Sequence, residues 1–182
     1  MLVRHAEKEP DSGPPPYGVN AQGEQDKHSL SPRGWQRAGA LVPFFVQAWV
    51  GEIETPDAVY ASRIGTDALM VNGQDVSKSL RPQQTVMPLV EAIAPRAGLQ
   101  TPYSVGEERQ LAQKVFNESG VVLVAWEHNH IPDIAAAFTT DAPSQWPSGA
   151  RFDLVWILTK GADGSYAFDE VPQSLLAGDA SI

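Results

Sequence analysis

The chain has 182 residues, 42% hydrophobic and 19% charged, enough for one domain with a sizeable core and too apolar for wholesale disorder. Its net charge of −9 repels nucleic acid and anionic membrane surfaces, so any anion site must be a local positive pocket in a negative field. The absence of cysteine removes disulfides, zinc–thiolate sites and thiol catalysis together.

The first residues, MLVRHAEK, have no basic region followed by a long apolar run. No signal peptide is visible and a cytoplasmic location is the expectation. Met1 to Val3 form a short apolar strand ahead of charged residues. Residues 9–29 are rich in Pro, Gly and polar side chains and read as a long loop, either a lid over a site or a plain surface excursion. Ser31 as N-cap and Pro32 at the first helical position open an amphipathic helix. Trp35, Ala38, Val42, Phe45 and Trp49 recur in it at helical spacing, with Pro43 as a candidate kink.

Residues 57–62 (DAVYAS) read as a short buried strand, residues 64–80 as a polar loop, and Pro82 to about Ala94 as a second helix. Ser104 and Glu107 have the spacing of a capping box ahead of a helix carrying Leu111, Val115 and Phe116, which Gly120 ends. VVLVAW (121–126) is a continuous apolar run, as in a strand buried on both faces. Pro132 starts another helix, and FDLVWILTK and SYAFDEV flank GADG as a hairpin. Trp35, Trp49, Trp126 and Trp156 are assigned to the core, and Trp146, in a Pro-rich turn, to an exposed or edge position.

No segment approaches about 18 uninterrupted apolar residues, so no membrane span is expected. The alternation of elements predicts one α/β domain over residues 1–182: a three-layer sandwich with a mostly parallel central sheet, flanking helices and an antiparallel C-terminal hairpin at one edge.

In such sheets ligands bind beyond the carboxyl ends of the strands. Arg4 and His5 directly follow the first strand, Arg81 precedes the second helix, and Glu127 and His128 directly follow VVLVAW. Taken singly, each has an ordinary structural reading as surface charge or a hydrogen-bonded residue. Together they bring two guanidinium groups and two imidazoles to one rim. Paired guanidinium donors match the oxygens of a phosphoryl group, and a neutral imidazole can attack phosphorus to give a covalent intermediate. A second, protonated histidine can stabilise the oxygens.

LVRHAEK at 2–8 resembles the signature of the histidine phosphatase superfamily, which includes phosphoglycerate mutases and acid phosphatases. LSPRGWQRAGAL at 30–41 is similar to that family's Leu-[Ser/Thr]-x-x-Gly-x-x-Gln-Ala block, with Arg37 standing between Gln36 and Ala38. VYAS at 59–62 with RPQQT at 81–85 resembles its Ser…Arg-[Ala/Pro]-x-x-Thr block, and VVLVAWEHNHI at 121–131 resembles the strand ending in its second histidine, with His128 and Ile131 in the matching places.

The resemblance implies a phosphatase with His5 as phosphorylated nucleophile and Arg4, Arg81 and His128 as phosphate ligands, needing no metal or organic cofactor. It implies a small phosphate ester or a phosphoprotein as substrate and leaves the oligomeric state open. The chain departs from the pattern in two of these blocks. Ser62 and Arg81 are separated by a long insertion, which makes Arg63 a rival for the second arginine and lets Ser77, Lys78 or Ser79 line that edge. Asn129 follows the second histidine, where acid-phosphatase relatives carry a proton-donating Asp. The general acid is then Glu107 or Glu108 by position, or water, with Glu127 as a pocket carboxylate or an orienting one and Tyr17 as a pocket wall.

Two other classes remain open. His128, His130 and Asp133 could serve a metal-dependent hydrolase, sensitive to chelators where the first reading is not. A phospho-ligand binding module would hold phosphate without turnover. His28, in the long loop, reads as solvated.

Overall fold

The structure, a computed structural model, describes residues 1–47, 53–65, 68–71 and 74–180. Trp49 and the end of the first predicted helix lie outside the described residues.

Six strands form one mixed sheet: β1 (Leu2–Arg4), β2 (Ala58–Ala61), β5 (Leu99–Gln100), β6 (Val122–Trp126), β7 (Leu154–Lys160) and β8 (Tyr166–Pro172), in the order β5-β2-β6-β1-β7-β8. β5, β2, β6 and β1 run parallel, β7 is antiparallel to β1, and β7 and β8 close the edge as the expected hairpin. The three-residue β1 is central, paired with β6 through Leu2–Val124 and with β7 through Leu2–Trp156.

Alternate residues of each strand serve two cores, as the twofold pleat requires. On one face Val3, Val59, Leu123 and Val155 pack with helices α1 (Pro32–Val46) and α2 (Arg81–Ile93) through Leu41, Phe45, Val86 and Leu89. On the other, Leu2, Tyr60, Val124, Trp126 and Trp156 pack with α3 (Glu108–Phe116) and α4 (Ile131–Ala135) through Leu111, Ile131 and Ile134. Helices on both faces of the sheet make the three layers.

Several local expectations change. The 64–80 segment contains a two-stranded ribbon, β3 (Met70–Val71) with β4 (Gln74–Asp75), and β5 is an added edge strand. Two-residue strands carry no periodicity to read. Glu107 Oε2 accepts from the Ser104 N–H at 2.7 Å, one half of a capping box, but the Ser104 hydroxyl is taken by Arg63, so α3 starts at Glu108. α4 stops at Ala135. Trp146 is buried, its ring 5.0 Å from that of Trp156 and its indole N–H donating to Arg151 O at 2.9 Å. An aromatic partner from β7 overrides the polar turn around it. Trp126 and Trp156 are fully buried, and Trp35 is half-buried with its N–H on Val19 O.

Candidate active site

The carboxyl ends of β1, β6 and β2 lie side by side because these strands are parallel neighbours. They deliver Arg4 and His5, Glu127 and His128, and Ser62 to one edge, and the His5 N–H extends the ladder to Trp126 O at 3.0 Å. A cavity of about 280 Å³ opens there, lined by Arg4, His5, Arg81 and His128, with Glu127, Asn129, Ser62 and Ser79 around them.

The loop after His5 is held by α1. The Ser31 N–H and hydroxyl both donate to Glu7 O, at 2.9 and 3.1 Å, while the same hydroxyl caps the Gly34 N–H. A Cβ on Gly34 would overlap that carbonyl and come within 3.0 Å of Glu7 N, so Gly34 is required by close approach of helix to loop. Gly34→Ala is expected to destabilise the fold by about 1–3 kcal/mol and to lower turnover by displacing the backbone beside His5, checked by denaturant titration and steady-state kinetics together. The hydroxyl of Thr85 accepts from Ala6 N at 2.8 Å and donates to Arg81 O at 2.7 Å. One side chain thus ties the loop after His5 to the first turn of α2, which explains the four-residue spacing of Arg81 and Thr85.

His5 is buried, and its Nδ1 lies 2.8 Å from Ala6 O. A carbonyl only accepts, so Nδ1 carries the proton and Nε2 keeps its lone pair. Burial, then the Arg4 and Arg81 charges, push the His5 imidazole well below its ordinary 6.5, and His128 adds to this. His5 is therefore neutral at pH 7.

Arg4 is 2% exposed, with Nη1 donating to Gly149 O at 2.5 Å and its guanidinium carbon 3.7 Å from the centre of the Phe152 ring. Burial lowers it to about 10 against the opposing pull of Glu127, Asp11 and Glu7, which leaves it charged at neutral pH. Its Nε has no hydrogen-bond partner among the described residues. Arg81 donates to Lys27 O and Ser29 O at 2.5 and 3.4 Å, and burial lowers its pKa against Glu9, Asp26 and Asp11.

Glu127 is buried, and its oxygens accept from the backbone and side-chain N–H groups of Asn129 at 2.8 and 2.9 Å. Its Oε1 lies 2.6 Å from His128 Nδ1, an ion-pair approach not aligned as a hydrogen bond. Burial works against this carboxylate's charge, but His128, the Asn129 N–H and His130 outweigh it and hold the group below the usual range.

Other sequence candidates lie elsewhere. Arg63 is exposed and pairs with Glu107 at 3.2 Å in a neighbouring groove. Glu108 is buried and accepts from Trp126 Nε1 at 2.9 Å and from Gly106 N. Neither Glu107 nor Glu108 lines the cavity, so the structure does not bring them together with Arg4, His5, Arg81 and His128. Tyr17 is 44% exposed and does not line it either. His130 faces Glu108 and Asp133, at 3.4 and 3.7 Å, while His128 faces the cavity. The strand has already ended at Trp126, so His128 and His130 sit in a turn rather than on one strand face. Among the described residues no group of three His, Cys, Asp or Glu is arranged to hold a metal ion. His28 is half-buried.

No family model matches the chain, and no curated protein matches it.

Phe152 and Gly149 are not legible in the sequence. They stand in a Pro-, Ser- and Gly-rich turn with no motif, and reach the site because β7 pairs with β1. No helix among the described residues is long and apolar enough to cross a membrane.

Proposed function

We propose that the protein is a histidine phosphatase that hydrolyses a phosphate monoester through a phosphohistidine on His5. The observation that carries this reading is the joint lining of one anion-sized cavity by two imidazoles and two guanidinium groups inside a chain of net charge −9. Neutral His5 attacks phosphorus through Nε2 as the bond to the leaving oxygen breaks. Arg4, Arg81 and His128 hold the non-reacting oxygens. Water protonates the leaving oxygen, because Glu107 and Glu108 are committed to Arg63 and Trp126. A second water then cleaves the nitrogen–phosphorus bond, releasing inorganic phosphate and returning neutral His5.

The substrate is a small phosphate ester or a phosphoprotein. Mixing the protein with an aryl phosphate and quenching in alkali should give one added phosphoryl group, stable in base and lost in acid, on the peptide carrying His5. Intact and peptide mass spectrometry reads it. Turnover with no such species, or with the label on another residue, would overturn the mechanism.

A further inference from the structure

Resting on the phosphatase reading, the geometry points to an aryl or similarly apolar leaving group, bound by a groove that Ile64, Leu69 and Val105 line beside the phosphoryl cavity. Two hollows adjoin that cavity and share lining residues with it.

The first shares Lys8, Asp11 and Arg81 and is polar. Its cations Lys8, Lys27 and Arg81 are matched by Glu9, Asp11 and Asp75. Lys8 contacts Asp11, and burial holds the pKa of His28 down. Arg81 already donates to Lys27 O and Ser29 O. No net positive charge is left there for a second anionic group.

The second shares Val105 with the cavity and has a volume of about 560 Å³. Its apolar residues are Ile64, Leu69 and Val105, and the backbone of Leu69 accepts from the N–H of Val76, which lines the cavity, at 2.9 Å. Its charged members, Arg63 and Glu107, neutralise each other at 3.2 Å. Ile64, which lines the groove, is 41% exposed. Ser77 and Ser104 also line the groove, but against Ile64, Leu69 and Val105 a charged or strongly hydrated leaving group would lose water, whereas an aromatic ring would cover these three side chains. Leu69, Ile64 and Val105 are therefore specificity-determining residues.

Steady-state kinetics with 2-naphthyl phosphate, phenyl phosphate and free phosphotyrosine test this. Their leaving oxygens are all phenolic, so the comparison isolates what is attached to the ring. We expect kcat/KM to fall in that order, with naphthyl phosphate favoured over phosphotyrosine by at least about tenfold. Ile64→Asp and Leu69→Asp should each collapse that ratio. Ile64 is surface-exposed, so its variant keeps the fold if the Leu69 variant does not. Equal or better use of phosphotyrosine, or an unchanged ratio in a folded Ile64→Asp protein, would overturn the inference while leaving the phosphatase reading intact. No turnover of all three esters, with no phosphorylated His5, would instead remove the reading on which it rests.

Discussion

Replacing His5 with alanine is expected to lower kcat for phenyl phosphate by at least about a thousandfold while leaving the far-UV circular dichroism unchanged. In the proposed mechanism the side chain supplies the attacking Nε2, and among the described residues its hydrogen bond runs to the carbonyl of the next residue, Ala6. Its removal leaves the β1–β6 ladder in place, because the backbone N–H still reaches Trp126 O. A non-catalytic phosphate-binding module would already show binding without turnover in the unmodified protein. A metal-dependent hydrolase would lose activity to a chelator rather than to this substitution.

The acid side of the rate profile carries a second mark of the same residue. Burial and the Arg4 and Arg81 charges hold folded His5 well below 6.5, so the nucleophile stays unprotonated and the rate should show no His5-dependent fall until well under pH 6.5. In the unfolded chain His5 takes up its proton near 6.5, where the folded protein does not. Stability must then decline as pH drops below about 6.5, and His5→Ala should be less acid-sensitive in that range by urea denaturation. A variant with wild-type turnover, or with an unchanged pH dependence of unfolding, would contradict the role given to His5.

Arg37→Leu is expected to destabilise the protein by about 3 kcal/mol, the cost of leaving Glu7 and Asp179 with the more exposed Arg33 as their remaining cation. Arg37 is 2% exposed and gathers three distant parts of the chain. It donates to both Glu7 oxygens from Nε, to Gln173 Oε1 from Nη1 at 3.0 Å, and to Asp179 from Nη1 and Nη2 at 3.0 and 2.7 Å. Glu7 lies two residues after His5, so the network braces the His5 loop against α1 and the C-terminal segment. Burial works against the Arg37 charge, but Asp179 and Glu7 hold it protonated above the usual arginine range.

For Asp179 burial pushes the pKa up, and the Arg37 hydrogen bond with the Leu176 and Leu175 N–H groups overcomes this, bringing it down from 3.8 to about 2. The stability this contributes is complete above 3.8 and is lost as pH falls through about 2. Arg37→Leu should flatten that acid limb, and Arg37→Leu with Asp179→Asn should recover part of the loss, because the second change removes one of the two carboxylates that then share Arg33. Thermal and urea unfolding of the two variants between pH 2 and 5 measure both effects. Equal stability of Arg37→Leu and the parent at pH 7 would show that the network carries no weight.

Much of the fold is legible in the sequence, because the apolar pattern of each long element is set locally. The unbroken VVLVAW run has the character of a strand covered on both faces, and the spacing of Trp35, Ala38, Val42 and Phe45 that of one face of a helix. Arg4, His5 and His128 fall at one edge because residues following parallel strands share that edge. Proton donors are harder to place, since a carboxylate's role depends on what competes for it. Glu107 and Glu108 stand in plausible positions along the chain, but in the fold Arg63, Ser104 and the Trp126 indole claim them.

Residue order and periodicity alone therefore determined the α/β alternation, the terminal hairpin, the two cores and the strand ends that carry the histidines. Three-dimensional packing alone decided that Phe152 lies under Arg4, that Trp146 is buried, that Glu7, Arg37 and Asp179 meet, and that Ile64 and Leu69 line a groove beside the cavity of Arg4 and His5. Hydrophobic periodicity is repeated every few residues along one segment. A contact between residues more than a hundred positions apart, such as Arg37 with Asp179, leaves no local trace and exists only once the sheet has set the order of its strands.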